Sequence, residues 1–481
     1  MLKKGILWDF IGKLFNQGIT FFVSIFLARL LLPEDFALIA MVMAFFGIAR
    51  VFIDLGLSEA LIQQQDIDDI HYSSIFWLNL FLAIVIATIF YFGAPQVSQF
   101  FHQDQLNNLA KVLSSTFVLG ALGAVHTAIL RKKMDFKYLS QINIISAIVS
   151  GILGIYAAYN GYGVWSLVIQ YVSAAIIRLF LLWKGVKWIP SFRFSWIAVK
   201  PLWNFSKKLF LSAVLNNISV QLDVFVIGKL FAPATLGFYS RGKTLNYLIS
   251  SYSSGSLTAV LFPALSRMQH DIDQVKEKVV KFFQLAAFVS FYLGGVLYIT
   301  AEDVIVLMFT DKWMMTVPYF RIMVLTTFAY PLSAIVLTPL TSLGRSDIFL
   351  KLEIIKKIML IPIYLIGFQF GISGFLYATL VLHLAAITLN GYYSGKLINW
   401  SVKKQWIEIL IYAIPAYIGS GTAFILLPNS LIPNHYIHFL LTGSIFTLYY
   451  IFINLIFKTK ASQLIINLAL PLIKKTISLR K

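Results

Sequence analysis

Residues 14–63 read LFNQGITFFVSIFLARLLLPEDFALIAMVMAFFGIARVFIDLGLSEALIQ, two long apolar runs that a Leu-Pro-Glu-Asp turn at 32–35 separates. Polar groups lie inside those runs: Asn16, Gln17, Arg29, Arg50, Asp54 and Glu59. A charge at the centre of a bilayer costs from about 3 to more than ~10 kcal/mol, so such residues usually face a bundle interior or a watery cavity. The hairpin therefore predicts a membrane protein with a polar interior.

The composition extends this prediction to the whole chain. Of 481 residues, 59% are hydrophobic and 12% are charged, and one helical span needs about 20 apolar residues. Several long stretches contain no Asp, Glu, Lys or Arg, and the longest must each form two spans. We predict an all-α, polytopic membrane protein of about fourteen transmembrane helices, centred near residues 20, 48, 84, 119, 149, 173, 218, 250, 291, 330, 360, 383, 417 and 447. The chain has no cysteine, which excludes disulfides and thiol chemistry.

The net charge of +19 is distributed as in a membrane protein and not as in a nucleic-acid-binding protein. Lys and Arg cluster in short connections and near both ends, in segments 131–137, 184–208, 267–281, 345–357, 396–404 and 458–481. Basic connections stay cytoplasmic, so we predict that both termini lie in the cytoplasm. Neither a metal-ligand spacing nor a catalytic constellation is present, and Glu302 and Asp303 are expected to be solvated neighbours in an outer connection. We therefore predict no enzyme, no metal and no bound cofactor.

A weak internal repeat divides the chain. A shift of 200 residues sets ARLLLPEDFA at 28–37 against GKLFAPATLG at 228–237, so that Arg29 meets Lys229 and Pro33 meets Pro233. Parallel repeats about an axis along the membrane normal are a recurrent transporter plan. We predict two six-helix halves in a parallel pseudo-twofold repeat plus two extra C-terminal helices, with the following bounds: 1–184, a cytoplasmic linker at 185–208, 209–400, helices thirteen and fourteen at 401–460, and an amphipathic cytoplasmic tail at 461–481.

The candidate site is a cationic, hydrated cavity between the two halves, lined by spans one, two, seven and eight. Its predicted substrate-binding residues are Arg50, Arg241, Lys243, Arg29, Lys229, Arg178 and Asn216, and its predicted ion-coupling residues are Asp54 and Asp223. Arg50 and Asp54 lie four apart on one helix face and are close enough to pair. Arg29 and Lys229 lie near the outer interface and are equally compatible with snorkelling. The polar run Ser-Ser-Tyr-Ser-Ser at 250–254 supports a polar face on span eight.

One motif is set aside. GFYSRGKT at 237–244 matches G-x-x-x-x-G-K-T, but a phosphate-binding loop of that kind follows a buried strand. Here the match lies at the predicted outer start of a membrane helix. We interpret it as a coincidence.

Several segments resemble one branch of a known superfamily. ARLLLPEDFALIAM at 28–41, with Asp-Leu-Gly-Leu at 54–57, is similar to the first hairpin of bacterial polysaccharide repeat-unit flippases of the multidrug/oligosaccharidyl-lipid/polysaccharide exporter superfamily. LRKKMDFK at 130–137, GYGVWSLVIQ at 161–170 and LGRSDIFLKLE at 343–353 resemble the colanic-acid and teichuronic-acid exporter branch.

The resemblance implies a function that the candidate cavity suits. It implies that an undecaprenyl-diphosphate-linked oligosaccharide is flipped from the cytoplasmic to the outer leaflet by alternating access, for export of a cell-surface polysaccharide. Expected partners are that lipid-linked glycan, membrane lipids, and polymerase and chain-length proteins of the same pathway, around a monomeric transporter that binds no nucleic acid. Coupling to a proton, a sodium ion or the membrane potential stays open. The alternatives are a cation-coupled small-molecule or drug exporter of the same superfamily and a membrane-embedded polysaccharide polymerase.

Overall fold

The computed structural model describes residues 2–64, 66–428 and 431–467, with side chains at all of these except 2–7, 9, 204, 205, 208, 209, 249–259 and 346. The side chains of the predicted polar run at 250–254, and the part of the predicted tail beyond residue 467, lie outside the described residues. Within the described residues the chain is helical and has no strand. Contacts divide it into two compact units, Met1–Ser240 and Arg241–Lys481.

The described residues of the first unit form nine helices and the start of a tenth. They are α1 Leu2–Leu30, α2 Pro33–Asp54, α3 Leu57–Gln63, α4 Asp69–Phe92, α5 Ala94–Phe101, α6 Gln105–Lys132, α7 Phe136–Tyr159, α8 Trp165–Gly185, α9 Trp196–Leu230 and α10 Pro233–Arg267. Helix α1 packs on α7, α4 on α6, and α2 on α9. The buried side chains of α3, α4, α6 and α7, among them Leu61, Phe76 and Val125, form one apolar core.

The second unit continues α10 and adds the remaining helices. They are α11 Ile272–Ile299, α12 Ala301–Phe309, a 3₁₀ turn at Asp311–Trp313, α13 Thr316–Val324, α14 Ala329–Ser342, α15 Ser346–Gln369, α16 Gly371–Leu397, α17 Val402–Leu426 and α18 His435–Ile456. Helix α11 packs on α14 and α17, and α17 packs on α18. Their buried aromatic side chains, including Phe283, Phe291, Tyr412 and Tyr450, form the core of this unit.

The first hairpin forms for local reasons. Pro33 occupies the first turn of α2, where its missing N–H costs no helical bond. Asp35 accepts a hydrogen bond of 2.9 Å from the Leu32 N–H and so caps the helix start. At the other end, Leu55 and Gly56 both adopt left-handed conformations, with φ of 52° and 74°, which stops α2 at Asp54.

The fold class predicted from sequence is confirmed: the protein is an all-helical, multi-pass membrane protein. Among the described residues, twelve helices are long and apolar enough to cross a membrane. The two other predicted spans, centred at 250 and 360, fall on α10 and α15, which are not among the twelve. Five charged residues lie in the first twelve positions of α15, and α10 has a polar centre. The count of fourteen therefore stays a prediction.

The predicted linker at 185–208 is shorter in the structure, because α9 begins at Trp196. The extended segment before it lies along α4. Ser191 and Ser195 donate backbone hydrogen bonds of 3.0 and 2.9 Å to the Ser73 and Ser74 hydroxyls, and the Trp77 indole donates to the Ser191 carbonyl at 2.8 Å. Helix α9, which the repeat assigns to the second half, thus belongs to the first compact unit. The repeat itself stays a prediction.

Candidate functional site

Helices α2 and α9, two of the predicted cavity walls, pack directly on each other inside the first unit. A Cβ atom on Gly47 of α2 would lie 2.8 Å from the Gln221 amide nitrogen of α9. Phe45 meets Phe225 edge-on, with ring centroids 4.7 Å apart. At the start of α10, a Cβ on Gly237 would lie 2.1 Å from the Pro33 carbonyl oxygen. Glycine at 47 and 237 is thus what lets these helices approach so closely.

Asp223 lies buried in this packing. The residue is 5% exposed, and its carboxylate accepts a hydrogen bond from the Tyr239 hydroxyl of α10 and another, at 2.9 Å, from the Val224 N–H. A buried carboxylate is tolerated only when such donors satisfy it. The structure therefore places this predicted ion-coupling residue in a contact that joins α9 to the first turns of α10.

The pairing of Arg50 with Asp54, which the sequence left open, does not form among the described residues. Among the described residues no ion pair joins them; Asp54 instead accepts hydrogen bonds from the Ser58 hydroxyl of α3 and, at 3.5 Å, from the Asn79 amide of α4. The reason is the left-handed break after Asp54, which turns α3 back so that Ser58 reaches the carboxylate. Asp54 is consequently the last residue of α2 and lies at a helix end, about 32 Å along the axis from Pro33.

Three arginines gather at the ends of neighbouring helices in the first unit. Arg50 of α2, Arg131 of α6 and Arg178 of α8 lie close enough for the charges of Arg50 and Arg131 to act on Arg178, and the three helices contact one another. All three side chains are exposed. Among the described residues, none of the three forms an ion pair. We call these residues the arginine cluster.

The arginine cluster contains one residue that the sequence reading missed. Arg131 lies in a basic segment that was assigned only to membrane orientation, and nothing in its local sequence separates it from Lys132 and Lys133. Arg131 lies in the last turn of α6, where the helix dipole favours a cation. Arg50 and Arg178 lie further from the ends of their helices, so the dipole stabilises them less.

The two predicted cations at the other end of the unit are arranged differently. Lys229, in the last turn of α9, donates a hydrogen bond of 2.6 Å to the Phe100 carbonyl, lies 2.9 Å from the His102 Nε2 and sits over the Phe100 ring. It therefore satisfies the C-terminal end of α5. Arg29 is exposed in the last turn of α1, and Asn216 is exposed on α9.

Arg241 does not line a hydrated surface in this structure. The residue is 6% exposed, and its guanidinium carbon lies 5.5 Å from the Phe309 ring centroid and 5.4 Å from that of Trp313. Both rings are buried in the second unit. In this conformation two aromatic rings more than sixty residues away lie against Arg241, and its place in a substrate cavity stays a prediction. Lys243, two residues on, is half-buried.

The structure contradicts the prediction made for Asp303. Instead of being a solvated loop residue, it belongs to α12 and is fully buried. Its two carboxylate oxygens contact His435 Nδ1 at 2.9 Å and His438 Nδ1 at 2.5 Å, both from α18. Beside it, Glu302 and Arg321 lie 3.9 Å apart. A cavity of about 200 Å³ is bounded by Glu302, Arg321 and His438.

Within the part of the chain that the structure describes, no group of three or more His, Asp and Glu residues could hold a metal ion. The Asp303 group illustrates why: each imidazole Nδ1 faces a carboxylate oxygen rather than a common point.

Comparisons with known proteins agree on the family and the fold. The family model described as "Polysaccharide biosynthesis protein" matches residues 26–318. The teichuronic acid biosynthesis protein TuaB of Bacillus subtilis is 25% identical over 62% of this chain and 62% of its own length. The lipopolysaccharide biosynthesis protein WzxC of Escherichia coli is 22% identical over 87% of this chain and 85% of its own.

A solved structure matches the fold over most of both chains. The lipid II flippase MurJ in an inward closed conformation gives a TM-score of 0.77 at 16% identity, over 94% of this chain and 98% of that one. At this identity the likeness concerns the fold alone.

Proposed function

Since this chain belongs to the polysaccharide biosynthesis protein family, we propose that it flips an undecaprenyl-diphosphate-linked oligosaccharide from the cytoplasmic to the outer leaflet of the bacterial inner membrane. Both termini are then cytoplasmic, and the exported unit supplies a cell-surface polysaccharide. The protein acts as a monomeric transporter that hands its cargo to polymerase and chain-length proteins. It carries out no covalent step of its own.

The observation that supports this proposal best is the arginine cluster. Arg50, Arg131 and Arg178 are exposed and, within the described residues, have no carboxylate partner. A diphosphate presents several negatively charged oxygens, and the planar guanidinium fork binds such oxygens bidentately. In the predicted topology these helix ends face the cytoplasm, which is the side on which the lipid-linked unit is made.

The membrane potential can contribute to the direction of transport. A negative charge that moves outward across an inside-negative membrane gains about 2.3 kcal/mol per 100 mV. The diphosphate is therefore driven outward once the arginine cluster releases it, and no nucleotide is needed. A cation counter-flow through Asp54 or Asp223 would add to this drive.

The test replaces each arginine of the cluster with alanine. Purified variants are placed in vesicles with a fluorescent undecaprenyl-diphosphate oligosaccharide, and the flipping rate is measured per folded molecule. Loss of one charged hydrogen bond to phosphate, worth about 1.5–3 kcal/mol, should slow flipping about ten- to a hundredfold. Arg178→Lys should fall between the wild type and Arg178→Ala.

Arg345 provides the matched control. It is also an exposed arginine, but it forms two 3.0 Å hydrogen bonds with Asp347, so Arg345→Ala should leave the rate within about twofold because exposed pairs contribute little. Undiminished flipping in all three cluster variants would refute the role of the cluster. If the same variants changed drug sensitivity instead, the small-molecule exporter would replace the flippase.

A further inference from the structure

We infer that Asp303 and His438 form a proton-binding site in the second unit, facing the predicted outer side of the membrane. Asp303 is on α12, the short helix that follows α11, and His438 is in the first turn of α18. The two residues are 0% and 1% exposed. Buried ionisable groups within membrane segments commonly mark proton relays, and neither residue is part of the arginine cluster.

The hydrogen bonds require a proton at this pair. His438 Nε2 lies 2.9 Å from the Leu427 carbonyl oxygen, and a carbonyl only accepts, so Nε2 carries a hydrogen. The same ring's Nδ1 lies 2.5 Å from an Asp303 oxygen. A neutral ring with its hydrogen on Nε2 would oppose its Nδ1 lone pair to an ionised carboxylate at that distance. One further proton therefore lies between Nδ1 and the carboxylate, on either atom.

The surroundings allow the proton at this site to exchange with solvent. His435 Nδ1 contacts the other Asp303 oxygen at 2.9 Å, and its side chain is 26% exposed, whereas that of Asp303 is fully buried. The other charged groups at the site, Glu302 and Arg321, bound the cavity of about 200 Å³ that His438 also lines. At about 30 Å³ per water molecule, that volume holds several waters. The cavity and the half-buried imidazole give a proton a route between the pair and the surface.

The proton also stabilises the contact between the two helices α12 and α18. When it is present, Asp303 holds α18 to α12; when it is lost, the lone pair and the carboxylate repel each other across the same contact. We expect the contact to open as the pH rises through this deprotonation. Its effect on transport rests on the proposed flipping function, whereas the proton binding itself does not.

The first experiment detects the proton shared by His438 and Asp303 directly. The full-length protein in lipid is labelled with ¹⁵N-histidine, and the His438 signals are assigned by their loss in His438→Asn. Near about pH 6 we expect Nε2 to be protonated and Nδ1 to resonate as a protonated or strongly hydrogen-bonded nitrogen. Asp303→Asn should abolish the Nδ1 shift and its pH-dependent transition. The inference would be overturned if Nδ1 were neither protonated nor hydrogen-bonded at any pH from about 5 to 9.

The second experiment connects the site to transport. Flipping is measured while the pH is varied on the side of the vesicle membrane where α12 lies. The wild-type rate should fall above the transition by up to about tenfold per pH unit, the limit for one proton, and Asp303→Asn and His438→Asn should give flat profiles. In the second variant the asparagine amide can still donate a hydrogen bond to Asp303, and an unchanged unfolding temperature checks that the fold is kept. His270→Asn changes an exposed histidine and should leave the profile unchanged.

These readouts separate the two proposals. If the wild type does not flip the lipid while the ¹⁵N signals behave as expected, the proposed function fails and the proton site stands. If the wild type flips the lipid and both variants keep the wild-type pH profile, the link between the proton site and transport is refuted.

Discussion

Two arginine side chains of the first compact unit and two of the second lie in contrasting environments. In the first unit, Arg50 and Arg178 are exposed, and the part of that unit that the structure describes offers them no carboxylate partner. In the second unit, Arg241 is buried between Phe309 and Trp313, and Arg321 lies beside Glu302. The arginines named in the first unit are therefore accessible to solvent, whereas those in the second unit lie against other side chains.

Because of this contrast, a charge within an apolar segment does not by itself indicate a binding site. All of these arginines lie in segments that the membrane makes costly for a charge. Burial against aromatic rings is one solution and exposure on a polar surface is another, and only the second leaves the charge accessible to a ligand. We expect substitutions in the two groups to have opposite consequences for transport and stability.

Arg241→Ala should give the largest loss of stability. The buried guanidinium contacts two rings, and each desolvated cation–π contact is worth roughly 1–2 kcal/mol in addition to the lost packing of the side chain. We expect a loss of about 2–4 kcal/mol, measured as a lower unfolding temperature in detergent. Flipping per folded molecule should stay near the wild-type rate.

Arg178→Ala is the counterpart of that variant and should do the reverse, lowering flipping without lowering the unfolding temperature. The contrast between the units would be broken if Arg241→Ala slowed flipping tenfold at normal stability.

Gly237→Ala should have a smaller effect on stability and tests the contact between α2 and α10 in the first unit. The added Cβ would lie 2.1 Å from the Pro33 backbone oxygen, and a backbone atom cannot move aside as a flexible side chain can. Overpacking of this kind costs about 1–3 kcal/mol. The measurement is the unfolding temperature together with the yield of monodisperse protein.

Gly120→Ala is the matched control, because a Cβ at that helical glycine meets nothing within 4 Å. It should be neutral or should stabilise the protein by up to about 1 kcal/mol. Equal effects of the two substitutions would mean that the close approach at Gly237 does not form.

Lys229→Ala should have the smallest effect. Its ammonium group is bonded to the Phe100 carbonyl but is exposed, so we expect less than about 1 kcal/mol in unfolding and a normal flipping rate. A tenfold loss of flipping at unchanged stability would instead make Lys229 a cargo contact, and the anion site would then extend to both ends of the first unit.

The sequence predicted what depends on local and periodic features. The hairpin turn at Pro33 and the helical class both follow from patterns within about 30 residues. Two contacts that the sequence did not predict share a different property. Asp303 lies 132 and 135 residues from its histidine partners, and Arg241 lies more than sixty residues from its rings, so no local pattern contains either contact.

The arginine cluster lies between these cases. Arg50 and Arg178 were selected because a charge within an apolar run stands out, whereas Arg131 was hidden among neighbouring basic residues. Arg50 and Asp54 lie four residues apart within α2, but the chain turns after Asp54 and Ser58 donates to its carboxylate. Spacing within a helix shows that two side chains can meet, but not which partner a side chain takes.

The extended segment between α8 and α9 has a consequence for the separability of the molecule. Its hydrogen bonds to Ser73, Ser74 and Trp77 tie it along α4, and α9 then packs on α2. A gene divided at this segment, as the sequence repeat would suggest, would strip the first fragment of α9 and expose the surface that α2 presents to it. A two-piece version of the protein that keeps α9 packed on α2 would therefore have to be cut after α9.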